Sequence, residues 1–403
     1  MKVVVIGAGP AGLMAAGTVK ADEILLLEQN EKVGKKLYIT GKGRCNVTND
    51  CTADKLIENI VSNPKFFMSA AHAFTPFDTV LLLEKLGVKT KVERGGRVFP
   101  VSDKSSDIIS ALEKYAETNG AKIMLNSSVS GAKKVGDKFF VSLSGGEEIV
   151  CDKLVVATGG KSYPATGSTG FGYRLAGSFG HKVVTPRPAL VPIALNEDVK
   201  SLEGLSLKNV NLTLSDGKKT FSKFGEMLFT SFGVSGPVAL SLSSLINSFD
   251  VTRFRLSVDL KPALDLATLD KRILSDFGEN INRQYKNSLS KLLPKSLIPY
   301  IIERSGIPPE IKVNAITREM RQKLVSCLKS LDFSVKSLMP IEAGIVTAGG
   351  VDVREVNPKT MESKLVDGLY FVGEVLDLDA FTGGYNIQIA LSTGYSAGVF
   401  ISQ

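Results

Sequence analysis

Apolar runs alternate with a glycine-rich turn at the start of the chain. Residues 2–6 form a β-branched apolar run, which is typical of a buried parallel strand. A glycine pattern at residues 7–12 follows directly, and residues 13–20 then have a helical pattern. A second apolar run, residues 23–28, ends in a carboxylate. This order predicts a strand, a tight turn, a helix and a second parallel strand.

Similar strand patterns recur far along the chain. Residues 154–160 are an apolar run that leads into Thr-Gly-Gly, and residues 369–374 are another that ends in Gly-Glu. Residues 387–401 have a helical pattern after a second glycine pair. We expect these pieces to share one parallel sheet, which makes the chain between them an insertion. The predicted sheet-containing domain is therefore discontinuous and comprises residues 1–190 and 338–403.

The inserted region divides into a strand-rich part and a helical part. Residues 191–261 contain short alternating segments, with Ser215–Lys218 between two of them as a hairpin turn, and this predicts a small antiparallel barrel or sheet. Residues 262–337 are more polar and are interrupted by prolines, and they predict a helical region. The expected helices are residues 265–277, 289–305 and 317–331. The fold class is therefore α/β, a Rossmann-like domain with an inserted small β-barrel and helical region.

Composition limits the classes of protein that the chain can belong to. Of 403 residues, 43 % are hydrophobic, which excludes a wholly disordered chain. The 49 Lys and Arg exceed the 41 Asp and Glu by eight, a balance that favours an anionic ligand only weakly. The four cysteines are too few and too scattered for a disulfide framework. We find no run approaching the ~20 apolar residues of a membrane span, and we expect a cytoplasmic protein without a membrane partner.

The first glycine motif carries the clearest chemistry. Gly7 permits the tight turn, Gly9 lets the backbone approach a pyrophosphate, and Gly12 lets the helix pack close to the strand. The start of the helix then offers free N–H groups to phosphates. Glu28 follows at the spacing of the acid that binds a ribose diol. The sequence therefore predicts dinucleotide binding, but this acid serves NAD and FAD equally well.

Three further segments could extend along the cofactor. The basic, glycine-rich loop of residues 34–46 places Lys36 or Arg44 near phosphates, although such a loop is also compatible with a simple solvated surface. The Thr-Gly-Gly segment ending at residue 160 could pass close to the adenine half. The helix that opens after Gly384 could direct backbone donors at the N1 and C2 carbonyl edge of a flavin.

Seven motifs in order resemble one known family over essentially the whole chain. They are GAGPAGLMAA, GKKLYITGKGRCNVTN, GGRVFPVSDKSSDI, ATGGKSYPATGSTGFGY, GEMLFTSFGVSGP, VTAGGV and GEVLDLDAFTGGYNIQIALSTG. Together they are similar to the bacterial FAD-binding flavoproteins that include aminoacetone oxidase-like and bile-acid-reductase-like members. The resemblance implies FAD as the tightly held dinucleotide, and a domain of the two-dinucleotide-binding flavoprotein type. It does not imply one substrate.

With FAD as the cofactor, the motifs and the resemblance together give a set of candidate binding residues. The glycine turn and Glu28 would hold the pyrophosphate and ribose, Glu374 the ribityl-phosphate side, and Asn386 the pyrimidine edge. The full set is Gly7, Gly9, Pro10, Ala11, Gly12, Glu28, Gln29, Lys36, Arg44, Cys45, Asn46, Val129, Ala157, Thr158, Gly159, Gly160, Gly373, Glu374, Asn386, Ile387 and Gln388.

The chain departs from the family pattern at two positions. Ser231 stands where relatives usually have His in a Phe-Thr-His-x-Gly stretch, and Phe171 stands where they tend to have Asp. Any role that depends on that histidine is in doubt for this chain. His72 and His181, far apart in the sequence, are better interpreted as structural residues than as an acid or base. With only two histidines, we expect no metal site, and we assign no catalytic base.

Alternative redox partners receive little support from the sequence. Cys45 and Cys51 have neither the Cys-x-x-Cys spacing nor the four-residue gap of the large flavin disulfide reductases, so a redox dithiol is the weaker interpretation. Residues 190–340 contain no second Gly-x-Gly-x-x-Gly unit. NAD(P)H would therefore bind transiently as an electron donor, without a domain of its own.

Three functions remain open at this point. The first is an FAD-dependent oxidoreductase that transfers a hydride between flavin N5 and a small organic substrate, such as an amine in an oxidase or dehydrogenase. The second is an NAD(P)H-dependent reductase of an unsaturated compound. The third is a nucleic-acid-binding or tRNA-modifying flavoprotein, which the scarcity of aromatic residues on the predicted basic helices argues against. The sequence leaves the substrate and the oligomeric state undetermined.

Overall fold

The most apolar runs of the chain form the strands of a parallel sheet. The structure, a computed structural model, describes residues 1–279 and 281–403. Its strands are β1 (Lys2–Ile6), β2 (Glu23–Leu27), β3 (Thr48–Asn49), β4 (Thr90–Glu93), β5 (Arg97–Pro100), β6 (Ala121–Met124), β7 (Val129–Val135), β8 (Lys138–Leu143), β9 (Glu148–Cys151), β10 (Lys153–Val156), β11 (Val183–Ala189), β12 (Ile193–Leu195), β13 (Ser206–Ser215), β14 (Thr220–Thr230), β15 (Gly233–Ser235), β16 (Arg255–Asp259), β17 (Leu331–Leu338), β18 (Val346–Val351) and β19 (Leu369–Phe371).

Helices cover the segments where the apolar period changes from two to about 3.6 residues. They are α1 (Pro10–Thr18), α2 (Ala53–Ile57), α3 (Pro64–Ala73), α4 (Pro76–Lys85), α5 (Ser105–Thr118), α6 (Phe171–Ser178), α7 (Pro237–Ile246), α8 (Leu266–Gly278), α9 (Ile298–Ser305), α10 (Arg318–Lys329) and α11 (Tyr385–Ile401).

The chain forms two structural units. The first, which we call the sheet unit, comprises residues Met1–Ala189 and Pro340–Gln403, and the second, the barrel unit, comprises Leu190–Met339. The predicted α/β fold, with a discontinuous Rossmann-like domain and an inserted barrel, is confirmed.

A five-stranded parallel sheet forms the centre of the sheet unit, in the order β19-β10-β1-β2-β6. In the middle strand β1, Val4 lies opposite Leu25 on one side and Leu154 on the other, and all three are buried. Burial on both faces explains why these strands are almost continuously apolar rather than alternating.

Helices α1 and α11 pack closely against each other in the sheet unit. A Cβ at Gly394 would lie 2.4 Å from the Ala11 carbonyl oxygen, and one at Gly398 would lie 2.5 Å from Cβ of Thr18. Only glycine allows the two backbones to approach so closely. The sheet unit also contains the antiparallel sheets β3-β5-β4 and β7-β8-β9 and the pair β11-β18.

The barrel unit contains a closed barrel of six strands in the order β12-β15-β14-β13-β16-β17. Alternation along residues 210–215 of β13 and along β16 directs Leu212, Leu214, Leu256 and Val258 into a buried core. Helices α8, α9 and α10 contribute apolar residues to the same core, among them Ile301. The barrel is therefore filled by side chains.

Two details of the inserted region differ from the sequence prediction. The strand β17 lies in the region predicted to be helical, and it closes the barrel by pairing with both β16 and β12. The barrel therefore extends beyond residues 191–261. The predicted helix 289–305 is shorter in the structure, because α9 begins only at Ile298. Pro294 precedes it, and Pro299 occupies the first turn, where its missing N–H is tolerated.

One helical stretch, Pro64–Lys85, is apolar and long enough to meet the length and composition criteria for a membrane span. The sequence analysis did not single it out. In the structure it consists of two helices, α3 and α4, because the chain leaves the helical conformation at Phe74 and Thr75. Thr75 caps α4 through a capping box with Asp78, which fixes the break.

Candidate cofactor site

The turn between β1 and α1 has the geometry that the glycine motif predicts. Gly7 has φ of +102°, a conformation that residues with a Cβ rarely adopt, and its N–H donates to the Leu27 carbonyl over 2.8 Å. A Cβ at Gly12 would lie 1.9 Å from the Gly7 carbonyl oxygen. These two glycines therefore allow the helix to start directly behind the strand.

Gly9 differs from Gly7 and Gly12 because the space at its Cβ position is open. No described heavy atom lies within 4 Å of that position. Gly9 is also the N-cap of α1, where no described side chain forms a capping hydrogen bond and no acidic residue occupies the first turn. The free N–H groups of Ala11 and Gly12 therefore begin a helix whose positive end has room for an anion.

Glu28 is buried and ties the end of β2 to the glycine turn. Its Oε2 accepts from the Ala8 N–H over 2.9 Å, and its Oε1 accepts from Asn30 N and Nδ2 over 2.9 and 2.6 Å. The neighbouring Gln29 donates to the Gly167 carbonyl over 2.7 Å. The chain before Val129 lies alongside, because the Ser127 N–H donates to the Glu28 carbonyl. Glu28, the predicted ribose-binding residue, therefore lies close to two further candidate residues, Gln29 and Val129.

Lys36 and Glu374, far apart in sequence, form an ion pair of 2.8 Å. The Lys36 ammonium also donates to the Ser162 hydroxyl over 2.6 Å. Oε1 of Glu374 in turn accepts from Ser162 Oγ over 3.0 Å and from the Thr347 N–H over 2.9 Å. The sequence analysis predicted Lys36 and Glu374, but it missed Ser162 and Thr347.

The turn that carries Glu374 lies beside the start of α1 and the middle of α11. A Cβ at Gly373 would lie 2.8 Å from Cβ of Ala11 and 3.8 Å from Cβ of Ala390. The Gly373 N–H donates to Thr393 Oγ1 of α11 over 2.9 Å. The glycine turn and the Gly-Glu turn, predicted separately, are therefore neighbours.

The segment of residues 157–160 follows β10 and lies against both the Gly7 turn and Glu374. A Cβ at Gly7 would lie 2.6 Å from the Ala157 carbonyl oxygen, and one at Gly160 would lie 2.7 Å from Oε1 of Glu374. Gly159 faces Ser168. The Thr158 hydroxyl is buried and has no hydrogen-bond partner among the described residues.

The start of α11 fits its predicted role only in part. Asn386 closes the preceding loop, since its side chain accepts from Ala380 N and donates to the Ala380 carbonyl. The helix starts at Gly384 without a side-chain cap from any described residue, which leaves the N–H groups of Asn386 and Ile387 in the first turn.

Gln388 does not fit the predicted role of a backbone donor. Its N–H already donates to the Gly384 carbonyl over 3.1 Å. Its side chain is fully buried, where Oε1 accepts from the hydroxyls of Thr48 and Thr79 and Nε2 donates to the Phe74 carbonyl. Gln388 therefore joins α11 to α4 and β3 rather than facing a ligand.

Arg44 is engaged by protein groups rather than by an open site. Its guanidinium pairs with Glu93 and with Asp103, the latter over 2.8 Å, and lies 4.2 Å from the centre of the Phe99 ring. A phosphate would have to compete with two carboxylates for it. The next two residues, Cys45 and Asn46, turn inward.

Burial makes the Cys45 thiol chemically inert. It raises the pKa of Cys45 to about 12, and it also raises the pKa of Cys51. A thiol with a raised pKa is a poor redox nucleophile, so the structure gives no support to a dithiol mechanism. The side-chain oxygen of Asn46 is buried and finds no partner in the part of the chain that the structure describes.

Asp377 and Asp379 lie in the last of the seven motifs, where the sequence analysis assigned them no role, and the structure places these two acids in the interior of the sheet unit. Asp379 is fully buried, and burial raises its pKa to about 6. Both of its carboxylate oxygens lack a hydrogen bond of ordinary geometry to the described residues, although the nearby Ser62 favours the charged form. Burial also raises the pKa of Asp377, and Arg187 opposes both shifts through its charge.

The two histidines have structural surroundings. His181 lies buried between Ser363 Oγ, 2.7 Å from Nε2, and Glu355, 3.2 Å from Nδ1, and its burial lowers its pKa. His72 is exposed beside Asp54. Of the two positions that depart from the family pattern, Phe171 begins α6 and lies under the Arg174 guanidinium, and Ser231 lies in the turn between β14 and β15.

The arrangement fits an extended dinucleotide with a flavin at one end. Helix α1 begins beside the Gly373 turn, and α11 packs against that turn through Ala390 and Thr393. Both helices start without a side-chain cap from the described residues, so their first N–H groups are free to face a pyrophosphate and a pyrimidine carbonyl. The open position at Gly9 leaves space for a ligand. Among residues 1–279 and 281–403, the buried polar atoms of Thr158 and Asn46 have no hydrogen-bond partner, and a ligand could supply one. Each candidate residue remains a predicted contact.

The fold and this arrangement define the class of protein: a Rossmann-type, FAD-binding flavoprotein that acts as an oxidoreductase. The chain belongs to the family described as "HI0933-like protein Rossmann domain", which matches residues 1–400. The family resemblance predicted from the sequence is confirmed, and so are the oxidoreductase class and FAD as the cofactor.

Three relatives match the chain over almost their full lengths. A ribosomal RNA dihydrouridine synthase of Haemophilus influenzae is 33 % identical, with 99 % of this chain and 98 % of the relative covered. A protein of the same name from Escherichia coli is 32 % identical, with 98 % and 96 % covered. A 3-dehydro-bile acid delta(4,6)-reductase of Clostridium scindens is 30 % identical, with 98 % and 97 % covered.

A solved structure supports the fold alone. A 3-ketosteroid delta1-dehydrogenase from Sterolibacterium denitrificans superposes with a TM-score of 0.52 at 11 % identity, and 99 % of each chain is covered. At that identity, the likeness carries no information about substrate.

Proposed function

We propose that the protein is an FAD-dependent reductase that saturates a carbon–carbon double bond conjugated to a carbonyl group, with a uracil base of RNA as its substrate. The observation that carries the proposal is the set of relatives that match along the whole chain at 30–33 % identity. Their printed names describe one type of chemistry. A dihydrouridine synthase and a delta(4,6)-reductase of a 3-oxo steroid each add two hydrogen atoms to a double bond conjugated to a carbonyl.

Conjugation matters because hydride addition to the β-carbon moves negative charge onto the carbonyl oxygen. Bound FAD supplies the hydride at its N5 position. The chain's part is to hold the cofactor through the glycine turn and the Lys36–Glu374 pair, and to direct the N–H groups at the start of α11 toward its pyrimidine end. Those donors favour the reduced, more negative form of the ring system.

A reduced nicotinamide is the proposed electron donor. The balanced reaction converts the unsaturated substrate, NAD(P)H and one proton into the saturated product and NAD(P)⁺. Residues 190–340 contain no second dinucleotide motif, so the nicotinamide would bind for the duration of hydride transfer only. We keep the expectation of a cytoplasmic location, where NAD(P)H and ribosomal RNA are both present.

The distribution of charge supports RNA over a steroid as substrate. The barrel unit has 21 Lys and Arg against 15 Asp and Glu, a net charge of +6 in 150 residues. The sheet unit, with 28 against 26, has a net charge of only +2. A polyanion is attracted by such a concentration of positive charge, whereas a neutral or monoanionic small molecule gains little from it. The sequence alone argued against a nucleic acid as a partner, although it stayed open as the third function; the relatives and the charge of the barrel unit support it.

Amine oxidation, the first of the functions left open by the sequence, has no support from these relatives. It enters the test as a comparison. The experiment is anaerobic incubation of the purified FAD protein with NADPH or NADH, followed by addition of protein-free ribosomal RNA from a strain in which the corresponding gene is deleted. Dihydrouridine is measured by mass spectrometry of the digested RNA.

Two observations together would support the proposal: bleaching of the flavin by the nicotinamide, and stoichiometric appearance of dihydrouridine with return of the flavin colour. A flavin that is reoxidised by a steroid enone but not by RNA would retain the chemistry and reject the substrate. A flavin that ignores both nicotinamides and is reduced by an amine would reject the proposal altogether.

A further inference from the structure

The outward side of the barrel sheet is unusually uniform in its chemistry. The strands β14, β13, β16 and β17 are neighbours in that order, so their outward residues form rows across the sheet. The pairings place Ser215 between Thr220 and Arg255, with Ser334 beyond Arg255. We call the outward residues of these rows the hydroxyl face: Thr220, Ser215, Arg255 and Ser334 in the first row, Ser222, Thr213, Ser257 and Asp332 in the second, and Phe224, Asn211 and Asp259 in the third.

Resting on the proposed RNA substrate, we propose that the hydroxyl face and the adjoining hairpin end bind the sugar–phosphate backbone and bases of single-stranded RNA. Alternation of side chains fixes which residues point outward, because their neighbours along β13 and β16 are buried in the barrel core. Hydrogen bonds of 3.0 Å connect the strands within the rows, between Ser215 and Thr220 and between Thr213 and Ser222. The Asn211 amide donates to Ser222 Oγ over 2.9 Å and so joins the third row to the second. Hydroxyl and amide groups held at strand spacing can donate to phosphate and ribose oxygens.

Aromatic and cationic side chains adjoin the face at the turn between β13 and β14. The Lys219 ammonium lies 3.8 Å from the centre of the Phe249 ring, and Lys218 is exposed beside it. Phe249 and Phe224 are 37 % and 60 % exposed, high values for apolar rings. Exposed rings next to cations are the elements with which proteins stack the bases and neutralise the phosphates of single strands.

Several acidic residues near the face are already engaged by local partners. The Asp216 carboxylate accepts from the N–H groups of Lys218 and Lys219 within the turn. Asp259 pairs with the Lys329 ammonium over 2.6 Å. Asp332 accepts from Ser330 Oγ over 2.8 Å, and Arg304 donates to its carbonyl.

A protein partner or a membrane fits this face less well. The strands close into a ring, so the backbone groups of the sheet pair within the barrel rather than with an added strand. A protein interface needs an apolar centre, but the rows consist mainly of hydroxyl, amide and charged groups. At the adjoining hairpin end, Lys218 and Lys219 supply the positive charge that a polyanion requires.

The test compares two double variants with the same change in charge. Lys218→Glu with Lys219→Glu alters the hairpin end, and Lys271→Glu with Lys323→Glu alters exposed positions on α8 and α10. The probe is a short, fluorescently labelled single-stranded RNA with a central uridine, titrated with the FAD protein at several salt concentrations. Flavin absorbance and circular dichroism establish that each variant is folded.

We expect the hairpin variant to bind the RNA at least tenfold more weakly, with a shallower dependence on salt, while the α8/α10 variant changes less than threefold. Phe224→Ser alone should weaken binding about fivefold and leave the salt dependence unchanged, since stacking is not ionic. Equal weakening by both double variants would overturn the proposal, because charge alone would then explain binding. Unchanged binding in the hairpin variant would overturn it too.

Flavin reduction by NADPH, measured in the same samples, separates this inference from the proposed function. It should be the same in all variants. RNA binding that depends on the face but yields no dihydrouridine would uphold the surface and reject the reaction. Dihydrouridine formation that is unaffected by the hairpin variant would uphold the reaction and reject the surface.

Discussion

The two units of the protein differ in which atoms form their candidate sites: backbone atoms in the sheet unit and side chains in the barrel unit. In the sheet unit, the candidate site consists largely of backbone, brought close by Gly7, Gly12 and Gly373. In the barrel unit, the backbone is closed upon itself, and the chemistry lies in outward side chains such as Arg255 and Phe224. A backbone site tolerates almost no added atom, whereas a surface tolerates most single changes and responds to several together.

The first prediction tests the intolerance of the backbone site and has the largest expected effect. Gly12→Ala places a methyl group 1.9 Å from the Gly7 carbonyl oxygen, so either the turn or the helix must move. We expect a colourless, largely insoluble protein. Gly177→Ala in α6 is the control, because no described atom lies within 4 Å of the added carbon. It should bind FAD normally and gain about 0.5–1 kcal/mol from helix propensity.

A yellow, stable Gly12→Ala protein would contradict the contrast between the two units, since FAD binding would then not require the close approach of α1 to the Gly7 turn. Flavin absorbance of the soluble fraction is the measurement for both variants.

The second prediction concerns the barrel core. Phe333 is fully buried and packs edge-on against Phe229, with ring centres 6.1 Å apart. We expect Phe333→Ala to lower the free energy of unfolding of the barrel unit by about 3–5 kcal/mol. Phe224→Ala on the hydroxyl face should change it by less than about 0.5 kcal/mol.

Thermal unfolding, followed by flavin fluorescence for the sheet unit and by proteolysis of residues 190–339 for the barrel unit, distinguishes the two effects. If Phe333→Ala releases FAD at the temperature at which the barrel becomes cleavable, the two units unfold together. The comparison between them would then not extend to stability.

The third prediction uses the buried Asp379. Its pKa of about 6 lies above the value of ~3.9 for an exposed Asp, so the folded protein binds more protons than the unfolded chain between these values. Stability therefore falls as pH rises from about 4 to 6, by about 3 kcal/mol in total. Asp379→Asn removes that dependence. We expect the variant to be more stable than the natural chain at pH 7.5, and we expect this difference in stability to be smaller at pH 4.5.

Urea unfolding at the two pH values measures the effect. Asp137→Asn, at an exposed side chain, is the matched control for the substitution. Parallel curves for the natural chain and Asp379→Asn would show that Arg187 compensates the buried carboxylate in full.

The fourth prediction has the smallest effect and separates the two kinds of glycine in one turn. Gly9→Ala meets no described atom within 4 Å, so the apo-protein should unfold at the same temperature as the natural chain. Its added methyl group would occupy the space proposed for the pyrophosphate. We expect the Kd for FAD to rise about tenfold, equivalent to about 1.4 kcal/mol. Unchanged affinity in a fluorescence titration would place the pyrophosphate elsewhere.

The sequence predicted the start of the sheet unit well because the information there is local. The strand, turn and helix of residues 2–18 are each specified by a few adjacent residues, and the turn permits one geometry. The sequence could not show that Ser162 and Thr347 contact Glu374, because the two residues lie in separate motifs that only the fold brings together. It assigned Gln388 to the ligand for the opposite reason: the motif was recognised, but its buried partners lie in distant segments.

The barrel unit was harder to predict because barrel closure is not local. The run Leu331–Leu338 alternates correctly for a strand, but it follows a helical pattern without a strong break, and its partners are β16 and β12. Helix 289–305 was predicted too long because the apolar period continues through Pro294. The hydroxyl face could not be predicted from the sequence, because its rows form only when the strands pair in their observed register.

The close packing of α1 on α11 has a consequence for synthesis of the protein. Helix α1 ends at Thr18, and its partner begins at Tyr385. At ~5–20 residues per second, on the order of 20–70 s separate their emergence from the ribosome. The barrel unit, contiguous from Leu190 to Met339, can complete itself earlier. During that interval, the apolar surface of α1 that packs on α11 in the folded protein lacks this partner. We expect chaperones to bind the nascent segment at this stage.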